Sequence, residues 1–381
     1  MTTQSSTTSM QGGVTEAPAS VNSVLKNVAN VCESELRPVV REVDEQGVYP
    51  EQAMRSFGTA GLYSQHLSGH GESAENDMPL AIEAMALVGY ECLSTAFCVW
   101  CHDACGWYLE KTSNTALKDR LVGEIAAGKA LGATGLSNPM KFYSEIERLR
   151  VHGERVDGGY IVNGSLPWVS NLGEDHYFGV VFERSDNPEH RVMAIVQCNQ
   201  EGVQLCDGGR FIALEGSRTY ATRFKDCFIP DEDILADPAD EYIKAIRPGF
   251  VLMQVGMGVG VIRACAALMR KQDKTLWHVN QHLTHADELE QQANELLEHT
   301  KRLAQTPHET NREFVIDCLQ ARLDAGELTL TAAQNCMLNG GARAYAEGSN
   351  QFRKLREAYF VGVVTPATKH LRKEISRLKA M

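Results

Sequence analysis

Apolar residues recur at three- and four-residue spacing from about residue 20 to 128. They alternate or run continuously over strand lengths from about 131 to 228, and return to helical spacing beyond Pro248. The stretch "VNSVLKNVANVCESELRPVVREVDEQG" predicts a helix that ends at Gly47, a residue suited to closing a helix. Further helices fit "PEQAMRSFGTAGL" and "MPLAIEAMALVGYECLSTAFCVWCHDACGWYLEKT", the second with a break near Glu91 and Ser94. Strands fit "IVNGSLPWV", "HYFGVVFE", "RVMAIVQC" and "TYATRFKDCFI", with "DGGY" and "NGS" as turns. Four helical runs follow, from "GFVLMQVGMGVGVIRACAALMR" to "HLRKEISRLKAM". This order predicts an α+β fold: a disordered tail over 1–20, an N-terminal helical domain over 21–129, an antiparallel β domain over 130–240 and a C-terminal helical bundle over 241–381.

Composition narrows the function classes. Hydrophobic residues make up 43% and charged residues 23%, as in ordinary globular proteins, and 37 basic against 49 acidic residues give a formal charge of −12. That balance argues against a nucleic-acid or anionic-membrane partner. No apolar stretch reads as a membrane span and "MTTQSSTTSMQGG" carries no signal-peptide pattern, so a cytoplasmic location is expected. The odd number of cysteines, eleven, scattered through apolar segments, reads as reduced thiols used as small hydrophobes.

Several clusters invite a chemical reading. In "CVWCHDAC" Cys98, Cys101 and Cys105 share one helix face. A straight helix wraps an ion poorly, so the aromatic surroundings favour a core or pocket wall over a metal site. His278, His282 and His285 also share a face, but in a polar segment that reads as a solvated or interface surface. Gly256, Gly258 and Gly260 lack the strand-to-helix context of a dinucleotide loop and read as close helix contacts. The strongest local signal is Trp168, Val169 and Ser170 after "GGYIVNGSLP", a flat ring and a hydroxyl suited to a planar heteroaromatic ligand.

Four motifs in order resemble the acyl-CoA dehydrogenase superfamily over nearly the whole chain from about residue 20. "GLSNP" resembles the family's "xxTEP" turn and "GGYIVNGSLPWVSN" its "GxYxLNGxKxWITN" hairpin. "EGSRTYATRFKDCFIPDEDI" resembles the strand and exit "GxxxSxTxxVxFxDVxVPxxNI", and "NGGARAYAEGSNQFRKLREA" the turn "GGxGYxxxxPxxRxxRDA". The resemblance implies FAD as cofactor, an acyl thioester on CoA or a carrier as substrate, a homotetramer or homodimer, and an electron-transfer flavoprotein as a candidate partner. It places Leu136, Ser137, Trp168 and Ser170 at the flavin ring. Gly340 and Gly341 would lie near the adenine end of FAD in a neighbouring subunit, and Trp100, Cys101, His102 and Gln254 at the substrate pocket.

Departures from the family pattern are as informative. The family's glutamate base matches Thr365 here, and residues 250 to 263 hold no carboxylate, only Gln254. A hydroxyl is too weak a base for α-proton removal near neutral pH. Asp103 and Glu347 are the remaining candidate bases. "MKFYSE" replaces the family's "GAGSD", no "RxxFG" occurs between 263 and 305, and Met337 replaces a glutamine before the paired glycines, so weaker FAD retention is expected. Three readings follow: an FAD-dependent oxidoreductase with the base relocated or dispensed with, a desulfinase or monooxygenase of the same fold, or a flavin-poor binding subunit.

Overall fold

A computed structural model describes residues 22–71 and 75–381, and the tail expected over 1–20 lies outside the described residues. Helix α1 (Ser23–Val31) starts where the Asn22 side chain accepts from Val24 N at 2.8 Å. It continues through a wide turn at Cys32–Leu36 and a tight one at Arg37–Val39 into α2 (Val40–Glu45). Pro38 explains the disturbed ladder, since it has no N–H to donate. Gly47 follows with φ +69°, as its helix-closing role requires. Helix α3 spans Glu51–Thr59, and Cys92 in extended conformation separates α4 (Met78–Glu91) from α5 (Leu93–Lys111), at the predicted break. Helix α6 (Thr115–Ala126) completes this part.

The middle of the chain holds β1 (Gly132–Thr134), a short helix α7 (Ser137–Tyr143), and strands β2 (Val151–Val156), β3 (Gly159–Val169), β4 (Tyr177–Arg184), β5 (Arg191–Gln197), β6 (Val203–Asp207), β7 (Tyr220–Pro230) and β8 (Ile234–Ala236). Strand order is β6-β7-β3-β2-β4-β5-β8, with β1 beside β4. The sheet is antiparallel except where β1 and β2 run parallel to β4. One turn assignment is corrected. "NGS" lies within β3, where Gly164 (φ +136°) makes a bulge against β7 instead of a reversal.

Helices α8 (Asp240–Asn280), α9 (Ala286–Leu303), α10 (Arg312–Gly340), α11 (Asn350–Val363) and α12 (Thr368–Lys379) form the C-terminal part. By length and composition α8 could cross a membrane, which the sequence reading missed, yet 83% of its apolar window is buried inside the fold. It is the core helix. Its glycines work as helix contacts: an added Cβ would lie 2.5 Å from Ile82 O at Gly256 and 2.4 Å from Ala86 O at Gly260. Trp107 lies over Gly249, and its Nε1 donates to Ile246 O at 2.9 Å.

Replacing Gly260 with alanine should destabilise the fold by about 1–3 kcal/mol, because the added methyl meets α4 backbone and not a flexible side chain. Denaturant unfolding of Gly260→Ala would measure it. A loss below a few tenths of a kcal/mol would show that α4 and α8 can move apart.

Candidate functional site

The turn from β1 into α7 presents Ser137 at the first position of a helix. Gly135 permits this close turn. Its N–H donates to Gly179 O at 2.8 Å, and a Cβ there would lie 2.7 Å from the same oxygen. Thr134 Oγ1 lies 2.6 Å from the Tyr108 hydroxyl and accepts from Leu136 N at 3.3 Å, tying the turn to α5. Ser137 Oγ then meets Thr365 Oγ1 at 2.9 Å, across 228 residues of chain. Thr365 lies in the short connection between α11 and α12.

A buried polar layer holds that connection. Gln254 Nε2 donates to Thr365 O at 2.9 Å, and Gln254 Oε1 accepts from Arg322 Nε at 2.6 Å. The amide orientation is dictated by chemistry, since a guanidinium can only donate. Arg322 Nη2 also donates to Val361 O at 2.5 Å, while its Nη1 has no hydrogen-bond partner among the described residues. Both side chains are fully buried, and burial lowers the Arg322 pKa to about 10, so it stays charged at neutral pH. Among the described residues it is bound by neutral oxygens, not carboxylates.

Trp168 and Ser170 run beside the same turn. Asn171 Nδ2 donates to Gly132 O at 2.7 Å, and Leu166 packs where a Cβ at Gly135 would clash. The Trp168 indole is 55% exposed, anchored by Nε1 to Gly208 O at 3.1 Å and met edge-on by Phe211. Ser170 Oγ lies 2.6 Å from Thr219 Oγ1, which also contacts Ser217 Oγ at 2.8 Å. An exposed indole and a chain of hydroxyls flank one edge of the β part. These residues suit the ring of a flavin: an open aromatic face with adjacent groups that can donate and accept.

A cavity of about 520 Å³ opens at the junction of α7, α8, α10 and α12. Its walls are apolar at Ile243, Pro248, Val251, Val315, Leu319 and Leu378. At its lining Arg191, Lys244, Arg247, Arg312 and Arg377 outnumber Asp240 and Glu374. Val251 and Leu319 lie three residues before Gln254 and Arg322 on their helices, so the polar layer sits one helical turn further along the same faces. Glu374 is buried. Burial alone raises its pKa, but Arg247 and the Ser144 hydroxyl, at 2.7 Å, hold it below the ordinary carboxylate range.

The other expected site residues are dispersed. Trp100 is buried, with Nε1 donating to Phe250 O at 3.2 Å, and Cys101 is a buried thiol whose pKa burial pushes well up. His102 is committed inside the protein: Nδ1 accepts from Gly132 N at 3.0 Å and Nε2 faces Ile125 O at 3.0 Å. Burial lowers its pKa to about 3, so it is neutral. Its role in these contacts is to fasten α5 to α6 and β1, not to line a pocket. Asp103 packs against His66, on the side of α5 away from Phe250, and burial raises its pKa well above the usual range. Glu347 is exposed on the turn after α10. Among the described residues, neither carboxylate hydrogen-bonds to Ser137 or Thr365.

Gly340 and Gly341 close α10, and Gly341 takes φ +59°. They stand 18 residues from Arg322 along one helix, on the order of 27 Å, at the far end from the polar layer. All eleven cysteines are free thiols, and no cluster of metal-ligating side chains occurs among the described residues. His278, His282 and His285 are exposed. Sequence reasoning missed Arg322 and the cationic lining. The available signal was a lone arginine on the otherwise apolar face of "CLQARLDAGELTLTAA".

Comparison with known proteins bears on this geometry. The model for the acyl-CoA dehydrogenase N-terminal domain matches residues 20–129. Mitochondrial isovaleryl-CoA dehydrogenase of Arabidopsis thaliana is 26% identical over 163 residues, 41% of this chain and 39% of that protein. Benzylmalonyl-CoA dehydrogenase of Aromatoleum aromaticum is 24% identical over 234 residues, 60% of this chain and 57% of that protein. The chain thus matches about two fifths to three fifths of these relatives' length. Butyryl-CoA dehydrogenase from Megasphaera elsdenii superposes with TM-score 0.83 at 17% identity, covering 97% of this chain and all of that one. Dibenzothiophene monooxygenase from Paenibacillus sp. A11-2 superposes with TM-score 0.78 at 15% identity, over 93% and 96%. The arrangement of helices around a mixed sheet is therefore one used for both dehydrogenation and oxygenation.

Two outcomes are expected at the buried polar groups. Gln254→Leu strips the Arg322 guanidinium of an acceptor and should cost about 2–3 kcal/mol in denaturant unfolding. Adding Arg322→Met should recover part of that loss, since no buried charge then remains. Asp103 keeps its proton in the folded state at pH values where the unfolded chain has released it. Its contribution therefore weakens stability progressively as pH rises above its ordinary value of 3.8. Asp103→Asn should stabilise the protein at pH 7 more than at pH 4, measured by thermal or denaturant unfolding. The opposite trend would mean that Asp103 is ionised in the fold.

Proposed function

We propose that this chain, which belongs to the acyl-CoA dehydrogenase superfamily, is an FAD-dependent oxidoreductase acting on an acyl thioester without a carboxylate base at the family position. The observation that carries this reading is the meeting of the Ser137 and Thr365 hydroxyls at 2.9 Å, with Thr365 where the resemblance puts the family's base. The cavity bounded by α7, α8, α10 and α12 has apolar walls that suit an apolar arm. The basic groups at its lining are paired, Arg191 with Asp240, Lys244 with Glu241, Arg247 and Arg377 with Glu374 and Arg312 with Glu313, so a phosphate docking there exchanges with a carboxylate.

The residues around the hydroxyl pair fit a flavin ring. Trp168 offers its exposed face, Ser137 and Ser170 offer hydroxyls, and bound flavin would supply two-electron transfer or, when reduced, oxygen activation. Thr365 stands across from Ser137 where a base would serve, held through its carbonyl by Gln254, which Arg322 in turn braces. Its hydroxyl can donate or accept a hydrogen bond but cannot hold an abstracted proton near neutral pH. That favours chemistry needing no α-proton removal by this residue. Elimination from a substituted acyl group or oxygenation, the reading raised by the likeness to a monooxygenase, meets that condition.

For assembly we propose a homo-oligomer. Exposed apolar side chains occur at the end of α8 (Trp277, Val279) and at and just after the end of α10 (Leu338, Tyr345), two ends joined where Asn280 Nδ2 donates to Asn339 O at 3.3 Å. An electron-transfer flavoprotein is the natural partner if the chemistry is dehydrogenation.

The test is spectroscopic. Purified protein incubated with FAD and desalted should keep a flavin absorption band, and Trp168→Ala should lose most of it. Anaerobic addition of saturated acyl-CoAs should leave the wild-type flavin oxidised, whereas Thr365→Glu should bleach it by restoring a base. No flavin retention at all would favour the binding-subunit reading, and bleaching of the wild type would reveal a displaced base.

A further inference from the structure

We propose that Glu374 is an exchangeable counter-ion: an oxyanion on a ligand arm takes its place at Arg247, loosens α12 from α7, and so couples occupancy of the cavity to the Ser137 and Thr365 contact. This inference rests on the thioester reading above for the source of the anion, the phosphate of a pantetheine arm. Helix α7 and the segment carrying α12 touch at both ends. Ser137 opens α7 and meets Thr365, three residues before α12, at 2.9 Å. Ser144 follows α7 and donates through Oγ to Glu374 Oε2, in the middle of α12, at 2.7 Å. Lys373 Nζ adds contacts to Ser144 O and Glu145 O, each at 3.0 Å. A shift of α12 at Glu374 therefore acts on the segment that delivers Thr365.

The Glu374 contact is incomplete. Arg247 reaches Glu374 Oε2 through Nη2, yet among the described residues neither Arg247 Nε nor Glu374 Oε1 has a hydrogen-bond partner, although both atoms are buried. A buried donor and acceptor left unpaired both cost stability. In a guanidinium Nε and Nη2 share one edge, which a phosphate or carboxylate can take with two parallel hydrogen bonds. Glu374 fills half of it. A ligand oxyanion would satisfy both donors, and the displaced carboxylate has a second cation at hand, since Arg377 Nη2 stands 3.7 Å from Glu374 Oε1 on the same helix. Arg247 and Glu374 both line the cavity, beside the apolar walls at Pro248 and Leu378. Because the two unpaired atoms are covered while Glu374 is in place, the anion enters by exchange and not by addition.

The experiment titrates the full-length protein calorimetrically with pantetheine, 4′-phosphopantetheine and inorganic phosphate, and follows amide hydrogen exchange in α12 by mass spectrometry. Saturating 4′-phosphopantetheine should speed exchange in α12 several-fold, and pantetheine should not. Glu374→Gln keeps an acceptor for Ser144 but no charge to displace, so it should tighten 4′-phosphopantetheine about tenfold and change pantetheine far less. Ser144→Ala weakens the hold on Glu374 and should act in the same direction if Glu374→Gln fails to fold. Arg247→Met should erase the preference for the phosphorylated compound. Equal effects on the two pantetheine compounds, or unchanged exchange in α12 with 4′-phosphopantetheine bound, overturns the inference and leaves the thioester reading intact. If inorganic phosphate alone binds, speeds α12 exchange and is tightened by Glu374→Gln, the exchange stands and the thioester reading falls. If no probe binds either protein, both fall.

Discussion

Helix α8 is buried on nearly every side through its middle, and whatever it places there must be apolar or paired. Most of the helix obeys by being apolar, with glycines at 256 and 260 that let α4 approach to backbone contact. Gln254 is the exception, and the site is organised around it. Its amide has one donor end and one acceptor end in use, the first holding Thr365 and the second neutralising a donor of Arg322. Because both groups are sealed from water, neither can turn away without leaving a polar atom unpaired. The position of Thr365 is thus inherited from the most rigid part of the molecule.

That rigidity shapes the chemistry available. A connection between two helices would ordinarily be free to drift, but this one is held at Val361 and Thr365 by carbonyl contacts from α10 and α8. The side chain it delivers to Ser137 is a hydroxyl. What the site lacks in basicity it keeps in placement, through the contact of Thr365 with Ser137. Electrostatics separates the buried layer from the cavity. The basic groups of the cavity lining are paired with carboxylates, while Arg322 in the layer is bound by neutral oxygens.

Much of this was legible in the residues. Helical spacing located α4 and α5 and the break at Cys92, and the aromatic and hydroxyl of Trp168 and Ser170 stood out because a polar ligand platform needs both. "CVWCHDAC" was harder. Helical geometry argued against a metal, but whether His102 faces a ligand or a backbone carbonyl depends on α6 and β1, and the contact with Ile125 O and Gly132 N decided against a ligand. Likewise "NGS" carries turn chemistry, yet it lies inside a strand because β7 pairs on both sides of Gly164 and turns it into a bulge.

By itself, the sequence determined the succession of helical, strand and helical regions, the small-residue contacts of α8, and the replacement of the family's carboxylate by Thr365, because periodicity and residue chemistry are local properties. Only the tertiary structure decided that Thr365 meets Ser137, that Gln254 and Arg322 share one buried layer, that scattered basic residues line a single cavity, and that Asp103 packs against His66. Those facts depend on which helix faces meet, and packing between elements distant in sequence sets them.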